Sequence, residues 1–103
     1  MNTPTTTDGT GELDFEEILD ALLKAPSKLK QKDIELLGSK VQKSVNLITP
    51  EQRSELGHII KAVAIDRTEA PAWGRENLVA FMMREKGVSG WAIGVRKIVE
   101  NIV

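Results

Sequence analysis

The sequence predicts an all-α fold, a compact bundle of four to five short helices ending in a helical hairpin. Three observations carry this. Apolar residues recur at three- and four-residue spacing through most of the chain. Capping signatures, Asp14 with Glu17 and Thr49-Pro50 with Gln52, stand before two of the periodic stretches. Pro26, Pro71 and Gly87 cut the rest into pieces of helix length. At 103 residues the chain has room for a single core. Residues 1–11 read as a flexible N-terminal tail of Thr, Gly, Asp and Asn, and 12–103 as one helical domain.

The first helix is expected over Phe15 to about Lys24, with Phe15, Ile18, Leu19, Leu22 and Leu23 as its buried stripe and Pro26 as its stop. The stretch from Asp8 through Gly11, Leu13 and Asp14 to Glu17 resembles the second half of an EF-hand calcium loop. It lacks an acidic first ligand, because Thr6 stands there, and only five residues precede it. A capping box from Asp14 to Glu17, with Leu13 stapled to Ile18, accounts for the same letters and is preferred.

A second helix is expected from a Ser27 cap to about Asn46. Leu29, Ile34, Leu37, Val41, Val45 and Ile48 form its core face, and Lys32, Lys40 and Lys43 its outer face, with Leu36 and Ser39 between them. Gly38 in its middle implies a bend or a close approach of another helix. The third helix, capped by Thr49 with Pro50 first, runs to Ile65 with Leu56, Ile59, Ile60 and Val63 inward. Residues 66–74 read as a loop whose Trp73 either lids the core or stands out as an anchor. The closing hairpin, residues 76–102, pairs a helix over about Arg75–Lys86 with one capped by Ser89. Gly87 serves as the left-handed stop, and Trp91, Val95, Ile98, Val99 and Ile102 form the final stripe.

Several function classes are excluded or left without support. There is no cysteine, so disulfides, thiolate zinc sites and thiol nucleophiles are absent. His58 is the only histidine, and it reads as a surface or boundary residue. No catalytic, metal-ligating or cofactor-binding set is assigned. The N-terminus has no basic start and no apolar run, and no segment could span a bilayer, so the protein is expected in the cytoplasm with no membrane partner. Net charge is −1, which gives no global attraction to nucleic acid. The charge is nonetheless sorted: residues 1–20 carry six acids and no base, whereas 21–43 carry six lysines against Asp33 and Glu35.

In the hairpin, Gly87-Val88-Ser89 followed by Ile93 resembles the turn of a helix-turn-helix DNA-binding unit. The resemblance implies that Ser89, Trp91, Arg96 and Lys97 would lie near DNA. The chain departs from the pattern at Met83, where a small residue is wanted, and in the glycines at 90 and 94.

These readings lead to a small non-enzymatic regulatory or inhibitory protein that acts by contact with a larger protein or complex, of the compact sort that phages and mobile elements encode. Trp73, Arg75, Arg84, Lys32, Lys40 and Lys43 are its candidate contacts. The alternative is a helix-turn-helix transcriptional regulator using residues 76–102. A homodimer through the C-terminal helix is a further expectation, because five helices offer more apolar stripe than one small core readily hides.

Overall fold

The structure, a computed structural model, describes residues 14–103; the predicted tail, and Asp8, Gly11 and Leu13 of the calcium-loop comparison, lie outside these. Among the described residues five α-helices form one bundle: α1 Phe15–Lys24, α2 Gln31–Lys43, α3 Pro50–Ile60, α4 Pro71–Arg84 and α5 Ser89–Glu100. A 3-10 turn, Val45–Leu47, follows α2, and α3 runs on into a π-helical turn, Lys61–Ile65.

Two helix starts follow their caps. At α1 the Glu17 amide donates to Asp14 Oδ1 at 3.4 Å, and the Asp14 amide donates to Glu17 Oε1 at 3.3 Å. The two carboxylates shared with a calcium loop are therefore occupied in starting a helix. At α3 the same exchange joins Thr49 and Gln52, at 3.0 and 3.1 Å, with Pro50 in the first turn, where no amide is required.

Two other starts differ from expectation. Ser27 does not cap α2. Its hydroxyl accepts from the Leu29 amide at 3.0 Å within a turn, and Lys30 occupies the N-cap position with no side-chain bond. The cause is long-range. The Lys28 amide donates to the Asn101 carbonyl at 2.8 Å, and the Val103 amide to the Pro26 carbonyl at 3.0 Å. Residues 26–28 are thus held extended against the C-terminal segment and cannot coil. At α4, Pro71 starts the helix instead of breaking one, so Trp73 is helical and the predicted loop ends at Ala70.

The hairpin turn is also longer than expected. α4 stops at Arg84, and its C-cap is Glu85, whose amide donates to the Phe81 carbonyl at 2.9 Å. Gly87 lies two residues beyond, with a φ of +74°. Ser89 is the first residue of α5 and makes no cap; Val88 holds the N-cap position.

α5 is the centre of the bundle. Trp91, Ala92, Gly94, Val95, Ile98 and Val99 are all buried along its 12 residues, which leaves only a narrow strip of the helix to solvent. α2 packs along Gly94, where an added Cβ would sit 3.5 Å from the Leu37 carbonyl oxygen. α4 packs along Val99, which Gly74 approaches so closely that a Cβ there would lie 2.6 Å from Val99 Cγ1. These two contact lines are about 140° apart round the helix, so α2 and α4 flank it. Phe81 and Trp91 meet with ring centroids 6.1 Å apart in the core between α4 and α5. α1 closes the remaining side with Phe15, Ile18, Leu19 and Leu22, and its Leu23 rests on Gly38. Gly38 therefore marks a close approach.

Of the stripe that suggested a homodimer through the C-terminal helix, Val95, Val99 and Ile102 are at most 4% exposed within the single chain, whereas Val103 is 55% exposed.

Candidate functional site

The outer face of α2 is the most distinctive surface among the described residues. Its inner side, Ile34, Gly38 and Val41, is fixed to the core. On the other side Lys32, Leu36, Lys40 and Lys43 follow one another at helical spacing over about 16 Å. Leu36 is 61% exposed within the row; Leu47 and Met83, outside it, are 76% and 83% exposed. Each of the three lysines is exposed, and among the described residues none is paired with a carboxylate. Asp33 and Glu35 border the row. Glu35 accepts a bond from Gln31 Nε2 at 3.3 Å.

Trp73, Arg75 and Arg84 lie elsewhere, on α4 and across α5 from this face. Trp73 is half-buried in the first turn of α4, edge-on to the exposed His58 with centroids 6.5 Å apart. It is partly a lid on the core and partly available. Arg75 reaches Glu100 at 3.5 Å. Arg84 is held by Glu55 and Glu85 and lies over the Phe81 ring at 5.8 Å. The Glu55 hydrogen bond, followed by the one to Glu85, raises the Arg84 pKa further above its ordinary value. Glu85 is held below the usual carboxylate range, first by the bond from Gln52 Nε2 at 3.0 Å and then by Arg84. The three lysines thus share one face of α2, whereas Trp73 and Arg75, two residues apart, point to different sides of α4, toward His58 and Glu100 respectively.

The four residues named for DNA contact do not form a recognition face. Trp91 is 3% exposed and belongs to the core, so its proposed place near DNA is corrected. Gly94 is buried against α2. Arg96 is half-buried beside Glu100, with its Nε 3.9 Å from Glu100 Oε1. Ser89 and Lys97 are exposed, but on a strip shared only with Gly90 and Ile93. Met83, expected to crowd the crossing of the two helices, is 83% exposed and takes no part in it. The physical reason is that a helix covered along two edges cannot present the broad face that enters a major groove.

A groove of about 540 Å³ opens between α1 and α3, floored by Phe15, Ile18 and Gly57. Its cations are engaged. Arg53 donates to the Val45 and Ile48 carbonyls at 2.8 and 3.2 Å, and Lys61 pairs with Asp66 at 2.9 Å. Sequence reasoning missed the roles of Arg53 and of the Gln52–Glu85–Arg84–Glu55 chain. Nothing local could have signalled the second, since Arg84 and Glu55 lie 29 residues apart. Among the described residues no group of three His, Asp or Glu side chains gathers where a metal could sit, and no helix is long and apolar enough to cross a membrane.

The architecture defines an all-α bundle domain closed round its last helix. Residues 30–103, from the N-cap of α2 onward, match the family described as the AMN1 C-terminal bundle domain, and the chain belongs to that family. No curated protein and no solved structure matches the chain. The matched region takes in α2 to α5 and omits α1, which nevertheless supplies four of the buried core residues.

Proposed function

We propose that this chain is a non-enzymatic regulatory or inhibitory module that acts by contact with a larger protein. The supporting observation is the outer face of α2, where Leu36 stands exposed among three unpaired lysines on a helix whose other side is locked into the core. An exposed apolar side chain with a charged surround matches the pattern of a contact centre with a polar rim. The half-buried Trp73 forms a second, smaller contact candidate on α4.

The test is photo-crosslinking from position 36. A photoreactive residue replaces Leu36 in the full chain, the chain is expressed in its source cells, and the adducts are sequenced. The expected result is one predominant protein adduct that disappears when Lys40 and Lys43 are both changed to Glu. Adducts to nucleic acid alone, or none, would overturn the reading.

A further inference from the structure

We infer that the outer face of α2 seats an acidic amphipathic helix of the partner protein, one with an apolar residue flanked by a carboxylate about one turn away on either side. This rests on the protein-contact reading above and adds the partner's chemistry.

The spacing sets the pattern. Lys32, Leu36 and Lys40 are successive residues of one i, i+4 row, with Lys43 continuing it. A helix laid along this row places side chains at the same intervals. Two carboxylates then meet Lys32 and Lys40 while an apolar side chain between them covers Leu36.

Charge identifies the occupant. Lys28, Lys30, Lys32, Lys40 and Lys43 are all exposed, against Asp33 and Glu35 as the only acids of that stretch. Nucleic acid fits less well, because the row has no arginine to grip phosphate in two places and no aromatic ring on which a base could stack. An anionic membrane fits less well too, since the apolar face of α2 is buried and Leu36 alone would enter the bilayer. The helix is already formed and pinned by Gly38 against Leu23, so this side of the interface needs no ordering on binding.

The experiment uses fluorescence anisotropy with a labelled peptide of about 20 residues, long enough to be helical. Its glutamates and leucines follow the acid–apolar–acid pattern on one face. A peptide of identical composition with that pattern scrambled is the control, and a random-sequence DNA duplex is the competitor. The patterned peptide is expected to bind the full chain. The scrambled peptide, and the variants Leu36→Glu and Lys40→Glu, are expected to bind about tenfold more weakly or worse, with weakening as salt rises. Unchanged thermal melts would show that the variants are folded, as both side chains are exposed. Equal binding of the two peptides overturns the inference, because bulk charge would then suffice. So does binding of neither, or displacement of the patterned peptide by duplex. If protein adducts still form from position 36 while the patterned peptide fails, the contact reading stands and only the partner's chemistry is wrong.

Discussion

α2 and α5 are 13 and 12 residues long and pack against each other, yet three residues of α2 are buried and six of α5 are. Both carry basic residues and a mid-helix glycine. The difference lies in how far round each helix is covered. α5 is flanked by two helices, so its arc of burial consumes Trp91 and Gly94, which the letters alone offered to DNA. α2 is packed on one side only, and its Lys32–Lys43 row is exposed among the described residues. A motif on a central helix is therefore weak evidence of a site, whereas an unpaired row on a peripheral helix keeps its meaning.

Substitutions can break or sharpen this contrast. The largest effect is expected for Trp91→Ala, which should cost about 3–5 kcal/mol in denaturant unfolding, a large share of a small domain's stability. A loss below about 1 kcal/mol would contradict the central place of α5. Next comes Gly74→Ala at the seam of α4 and α5. The new Cβ would lie 2.6 Å from Val99 Cγ1 and 2.9 Å from Val63 Cγ2, both β-branched and buried, so a loss of about 1–3 kcal/mol is expected. Gly38→Ala on α2 offers the comparison. Its Cβ would meet Leu23 Cδ2 at 2.7 Å, but Leu23 is only half-buried and can rotate away. The helix-propensity gain of about 1 kcal/mol should offset that, leaving the midpoint nearly unchanged.

A smaller effect concerns pH. The Glu85 carboxyl is held below its ordinary range by Gln52 and then Arg84. The unfolded chain thus takes up this proton first. The contribution of Glu85 is present above the unfolded pKa and is lost as pH falls through the folded one. Glu85→Gln should therefore lower stability at neutral pH and converge with the parent in acid, which flattens the acid side of the stability–pH curve; a parallel shift across all pH would refute it. The smallest effect is expected for Leu36→Ala, within about 0.5 kcal/mol in the same unfolding assay, because 61% of the side chain is already in water.

What was legible in the sequence was whatever depended on neighbours within one helical turn. Both capping boxes, the stripe of α1 and the inward faces of α3 and α5 follow from local spacing alone. What was not legible depended on distant partners. Ser27 looked like a cap, but the pairing of residues 26–28 with 101–103 holds it extended. Pro71 can end one helix or begin another, and the choice fell to its place at the start of α4, which put Trp73 on a helix. For the candidate site, the lysine row was visible as a pattern. That Leu36 would stay exposed within it depended on α2 being covered on one side only.

The pairing of residues 26–28 with the C-terminal segment also bears on the order of assembly. The partners are roughly 70 residues apart, a separation that slows closure relative to contacts within the α4–α5 hairpin. α5 supplies the surface on which α2 and α4 both rest, so during synthesis the earlier helices emerge with their stripes uncovered. The native core can close only once that last helix has left the ribosome, and until then the nascent chain exposes apolar surface of the kind that chaperones protect from aggregation.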